Sequence, residues 1–140
     1  MFRIKQLDHL VLRVKNLDAM IAFYTQVLGC DWERVEESLG LYQLRAGSPL
    51  IDLIPEDSPL GKQSAGNANG SGKSLAHFCL SIDPFDADHL ATYLHTKGIE
   101  AGDVDTRYGA EGFGPSLYLK DPEGNTVELK GPPQSTIYYI

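Results

Sequence analysis

The sequence is short of several things, and each shortage excludes a class of protein. Only two cysteines, Cys30 and Cys79, occur in 140 residues. That is too few for a disulfide framework, and a reducing cytoplasm is the expected location. Lys and Arg number 12 against 19 Asp and Glu, a formal net charge of −7. With no basic cluster to offset it, such a chain repels phosphate backbones, so no nucleic-acid partner is expected. No apolar run approaches the roughly 20 residues that cross a bilayer. Met1 to Val14 carries charges where a signal peptide would be apolar throughout, and no membrane partner is expected. What is present is ordinary: 42% hydrophobic and 22% charged residues, enough for a domain with its own core.

The order of elements reads in two halves. Leu7 to Val14 is a strand pattern, and Asn16 then caps a helix whose apolar residues are Leu17, Met20, Ile21, Tyr24, Val27 and Leu28. Gly29 ends it. Strands are predicted at Asp31 to Glu36, Leu41 to Arg45 and Leu50 to Ile54, with Gly40 and Gly47-Ser48-Pro49 as turns. Glu56 to Ser74 has the Gly, Ser and Asn content of a linker. A strand at Leu75 to Ile82 follows, then a helix capped by Asp86, with Ala87, Leu90, Ala91 and Leu94 on one face and Gly98 at its end. Gly102 to Thr106, Ser116 to Lys120 and Thr126 to Lys130 are the last strands, the final two joined by the turn Asp121-Pro122-Glu123-Gly124-Asn125. Arg107 to Gly114 reads as a loop.

The halves superpose. A shift of 68 residues lays His9 on His77, Leu12 on Leu80 and Asp18 on Asp86. A shift of 76 lays Tyr42 on Tyr118 and Asp52 on Glu128. Alternation along a strand sets Leu10, Leu12 and Val14 on one face and His9, Val11 and Arg13 on the other. In the matching strand His77, Cys79 and Ser81 oppose Phe78, Leu80 and Ile82, while Asp52 and Glu128 each sit between apolar neighbours. A lone His or acid in a strand is usually a surface or hydrogen-bonded residue. Two imidazoles and two carboxylates placed alike in both halves instead suit a divalent metal: Zn, Ni, Co, Mn or Fe(II). His89 and His95 are expected on the solvated side of the second helix, and Cys79 as a small apolar residue.

The motifs Leu7-Asp8-His9-Leu10-Val11-Leu12-Arg13-Val14, Phe23-Tyr24-Thr25-Gln26-Val27-Leu28-Gly29, Ala76-His77-Phe78 and Asp121-Pro122-Glu123-Gly124-Asn125-Thr126-Val127-Glu128-Leu129 together resemble the vicinal oxygen chelate superfamily. That group includes glyoxalase I, extradiol dioxygenases, methylmalonyl-CoA epimerase and the fosfomycin and bleomycin resistance proteins. The resemblance implies an α+β fold of two βαβββ modules forming an incompletely closed eight-stranded mixed sheet around a central cleft, often in a homodimer. It places module one at about residues 5–56, a linker at 57–74 and module two at about 75–131, in one domain. It also implies that His9, His77 and Glu128 are metal ligands, with Asp52 where glyoxalase I has Glu, and that Arg13 meets an anionic substrate such as glutathione.

Three functions follow from the resemblance. The leading one is a glyoxalase I-like lyase, in which Glu128 or Asp52 moves a proton between neighbouring carbons. If Asp52 falls short of the metal, two histidines and one glutamate remain, the set used by Fe(II) ring-cleaving dioxygenases. The third is an antibiotic-resistance or small-molecule binding protein without lyase activity. The Arg107 to Gly114 segment could close over a substrate, and Ile137 to Ile140 could pack on a partner chain.

Overall fold

The computed structural model describes residues 1–64 and 75–134, and the chain divides into two compact units, Met1–Gly72 and Lys73–Ile140. The C-terminal residues proposed to meet a partner lie outside the described residues.

In the first unit β1 (His9–Val14) leads to α1 (Leu17–Ala22). The Asn16 side chain accepts from the Ala19 backbone N–H at 3.1 Å, the cap read from sequence. The helix does not stay α to its end. Phe23–Val27 forms a π turn, closed by the Leu28 N–H to the Phe23 carbonyl at 3.1 Å, and Thr25 Oγ1 donates back to the Ile21 carbonyl at 2.6 Å. A threonine bonding its own preceding turn offers the backbone an alternative to regular helix. β2 (Asp31–Glu36), β3 (Leu41–Arg45) and β4 (Leu50–Pro55) complete a sheet of order β1-β4-β3-β2. Its core holds Leu12, Val14, Met20, Leu44 and Leu53.

The linker reading of Glu56 to Ser74 needs correction at residues 59–64, and its remainder, residues 65–74, lies outside the described residues. Pro59–Ser64 is a helix, α2. Ser58 Oγ accepts from the Gly61 N–H at 3.0 Å and Pro59 occupies the first helical position, where its missing N–H costs nothing. The small-residue composition hid a Ser-Pro start signal.

The second unit repeats the order: β5 (Phe78–Ser81), α3 (Ala87–Thr96), β6 (Asp105–Gly109), β7 (Gly112–Lys120) and β8 (Thr126–Lys130), with sheet order β5-β8-β7-β6. In both sheets the first and last strands run parallel and the rest antiparallel. Two four-stranded mixed sheets with few helices give the α+β, two-module fold expected. Asp86 accepts from the His89 N–H at 3.1 Å at the start of α3. Replacing Asp86 with alanine is expected to cost about 1 kcal/mol, read by urea unfolding; no loss would show that α3 does not depend on its cap. The turn before β8 is held by the buried Asp121, whose Oδ1 accepts from the N–H groups of Glu123 and Asn125, both at 2.9 Å. Gly124 takes the left-handed conformation there, φ 82°, which only glycine adopts freely.

Two further readings change. The sixth strand starts at Asp105, not Gly102, and Arg107 to Gly114 is not a loop. It is a hairpin in which Gly109 pairs with Gly112 and Tyr108 with Phe113. The third strand also slips by one. Tyr118 faces Glu128, whereas Gln43, not Tyr42, faces Asp52. The structural repeat therefore equates Gln43 with Tyr118, and the sequence identity of Tyr42 with Tyr118 pairs residues on opposite faces.

Candidate metal site

In the second unit the face opposite α3 gathers the chemistry. Cys79 is the ladder partner of Glu128 and Ser81 of Lys130, so these four and His77 share that face. His77 Nε2 lies 3.3 Å from Glu128 Oε1. Glu128 is 6% exposed, and its backbone is held on both sides by β5 and β7. Tyr118, opposite Glu128, meets the His77 ring edge-on at 5.3 Å, and the Arg107 guanidinium lies 4.5 Å over the Tyr118 ring. Arg107 is itself fixed by two 2.8 Å hydrogen bonds to the Ser116 carbonyl and hydroxyl. A cavity of about 280 Å³ opens on this face beside His77, Cys79, Glu128 and Lys130.

In the first unit His9 and Asp52 share the face opposite α1. Asp52 is 3% exposed, and both its oxygens accept from the Gln43 side-chain N–H₂, at 3.1 and 3.2 Å. Gln43 Oε1 accepts from Arg34 at 3.0 Å, which fixes which end of the amide points at Asp52. Each half thus sets an arginine against the residue that faces its carboxylate. His9 Nδ1 lies 2.8 Å from Asp8 Oδ2. That contact keeps the proton on Nδ1 and presents Nε2 as the donor atom, as a carboxylate behind a ligand histidine does. Asp8 escaped the sequence reading, although the pairing was visible in its adjacency to His9.

The His9 pKa is raised above its usual 6.5, first by the Asp8 hydrogen bond and less by the charge of Asp52, against the opposing effect of burial. A raised folded value means that protonated His9 stabilises the metal-free fold fully below about pH 6.5. The contribution is lost as pH rises through the raised value. Asp8→Asn is expected to bring the His9 titration, followed by NMR, back toward the ordinary value; an unmoved titration would remove Asp8 from the account. The Cys79 thiol is pushed up to about 11, mostly by desolvation and then by Glu128, with Lys130 acting the other way. It stays a thiol at neutral pH and is no nucleophile.

The donors fit a divalent cation pair by pair. Adjacent ligand atoms on a metal about 2.1 Å away lie roughly 3.0–3.4 Å apart, and the His77–Glu128 spacing falls within that range. Among the described residues, no three His, Cys, Asp or Glu side chains gather into one cluster. His89 and His95 sit on exposed parts of α3, against Asp86 and Glu100. Arg13, expected to meet substrate, donates through Nε to the Gly61 carbonyl at 2.9 Å and pairs with Glu56 at 3.5 Å, so it pins α2 to β1.

Residues 6–129 match the family described as the Glyoxalase/Bleomycin resistance protein/Dioxygenase superfamily. The chain belongs to this superfamily. A virulence protein of Salmonella typhimurium is 30% identical over 127 residues, covering 90% of this chain and 83% of that protein. Its crystal structure superposes with a TM-score of 0.73 at 23% identity, over 94% of this chain and 99% of that one, which supports the fold alone. A lactoylglutathione lyase of Arabidopsis thaliana is 30% identical over 132 residues, 89% of this chain but only 44% of the lyase. A metallothiol transferase of Bacillus licheniformis is 25% identical over 127 residues, 91% of this chain and 75% of that enzyme. Superfamily membership makes a small-molecule ligand the general expectation, and among the described residues no helix is long and apolar enough to cross a membrane.

Proposed function

We propose that this superfamily member is a metal-dependent, glyoxalase I-like lyase, with His9, Asp52, His77 and Glu128 as ligands of Zn, Ni, Co, Mn or Fe(II), and glutathione as cosubstrate. The observation that carries the reading is the 3.3 Å approach of His77 Nε2 to Glu128 Oε1 on one face of module two, with a second histidine and carboxylate on the equivalent face of module one. When bound, the cation supplies Lewis acidity toward two neighbouring substrate oxygens. Glu128 moves the proton: its carboxylate takes it from one substrate carbon and returns it to the next. Tyr118 and Arg107 hold the His77 ring in place, and Gln43 holds Asp52. The Arg13–Glu56 pair, more than a third exposed on both sides, is weak enough for an anionic substrate to displace. The reading includes a cytoplasmic homodimer, which sizing chromatography checks. Metal-loaded protein given methylglyoxal and glutathione is expected to form the thioester; none above background would refute the lyase.

One observation favours a second reading. Both Asp52 oxygens are already engaged by Gln43. If that amide keeps them, His9, His77 and Glu128 are left as two histidines and a carboxylate, which suits an Fe(II) ring-cleaving dioxygenase. Oxygen uptake by Fe(II)-loaded protein with catechols, in place of thioester formation, would decide for it.

A further inference from the structure

We propose that Lys130 anchors a carboxylate of the substrate in the module-two cavity. Lys130 is 5% exposed, and its ammonium has no ion pair or side-chain hydrogen bond among the described residues. A buried, unpartnered charge is costly, so the position calls for a reason. No described buried side-chain nitrogen or oxygen lacks a partner, so among the described residues the ammonium is left to contact water. The cavity that Lys130 lines is where it does so.

The backbone around it is shaped for that side chain. A Cβ on Gly109 would stand 2.9 Å from Lys130 Cε, and one on Gly114 would stand 3.2 Å from Nζ. Gly109 thus leaves a side chain out where the lysine stem passes, while at Gly114 the Pro132 and Gly131 carbonyl oxygens come closer still, at 2.7 and 3.0 Å. Tyr108, which is 73% exposed and stacked edge-on against Phe113 at 4.9 Å, forms an apolar wall of the same cavity.

Charge decides what the ammonium receives, and here the inference rests on the metal reading above. Glu111 and Glu128 also line the cavity, and against one lysine they leave it a single formal negative charge. A divalent cation held by His77, Glu128 and Asp52 would bring the sum, with the Asp52 charge counted, to zero. With Glu128 drawn to the cation, the ammonium is free to take an anionic oxygen of the ligand, which fits a carboxylate. The cavity's volume of about 280 Å³, just below the usual range of small-molecule sites, suits a ligand of few heavy atoms.

The test uses Co(II)-loaded protein and hydroxamate probes, measured by isothermal titration. Acetohydroxamate is compared with hydroxamates carrying a terminal carboxylate on one, two or three methylenes. At least one carboxylated probe is expected to bind about tenfold or more tightly than acetohydroxamate, as a charge-assisted hydrogen bond would give. Lys130→Met should erase that preference, measured against acetohydroxamate on the same variant, whereas Lys130→Arg should keep part of it. Co(II) uptake with no carboxylate preference in the wild type, or a preference that survives in Lys130→Met, overturns this inference alone. A wild type that takes up no Co(II) overturns the metal reading and this inference with it.

Discussion

Replacing Glu128 with glutamine is expected to lower kcat for thioester formation by about two to four orders of magnitude, the usual contribution of a positioned proton carrier. Glutamine keeps the size of the side chain and its place between β5 and β7, but its amide can neither hold a negative charge nor accept the proton. Stability should not fall with activity. Glu128 is buried, and removing a buried charge whose nearest partner, His77, is half exposed relieves desolvation as much as it loses attraction. A thermal melt of the metal-free variant at or above the wild-type Tm, together with the lost turnover, is the expected pair of results. Activity within a few-fold of wild type would take Glu128 out of the chemistry.

The largest effect on stability is expected one residue away from the other carboxylate. Leu53 is fully buried and pairs with Leu12 on β1 and Tyr42 on β3, in the strand on which α1 packs. Leu53→Ala removes buried methyl groups from a site clamped on two sides, so little collapse can fill the gap. The expected cost is about 2–5 kcal/mol by urea unfolding, a large part of the 5–15 kcal/mol that holds a typical domain. A loss below about 1 kcal/mol would mean that the first unit's core is looser than its burial indicates.

These two substitutions divide what was legible in the sequence from what was not. Alternation alone set Leu53 on one face and Asp52 and Glu128 on the other, because successive side chains of a strand point to opposite sides of the sheet. Helix caps at Asn16 and Asp86 were legible for a similar reason, a single side chain bonding a nearby N–H. The third-strand register was not. Tyr42 and Tyr118 look equivalent in sequence, but Gln43 faces Asp52, and only the ladder itself decides between registers one residue apart. The hairpin at Arg107 to Gly114 was obscured by three glycines, which read as loop punctuation. Of these, Gly109 instead leaves room for the Lys130 stem, a requirement set by a residue distant in the chain. α2 was missed because linker-like composition outweighed the local Ser58-Pro59 signal. At the site, the ligand-type residues were visible as types, whereas their supports (Asp8, Gln43, Tyr118 and Arg107) depend on cross-strand neighbours or on a histidine's tautomer.

The central claim is that one histidine and one carboxylate from each module bind a single divalent cation. Cobalt titration followed by visible absorption tests it most directly, on the wild type and on His9→Ala and His77→Ala. The account predicts saturation at one Co(II) per chain, with d–d bands of nitrogen and oxygen ligation that either substitution strongly weakens. Absent binding, or bands that persist unchanged when His9 or His77 is removed, would contradict it.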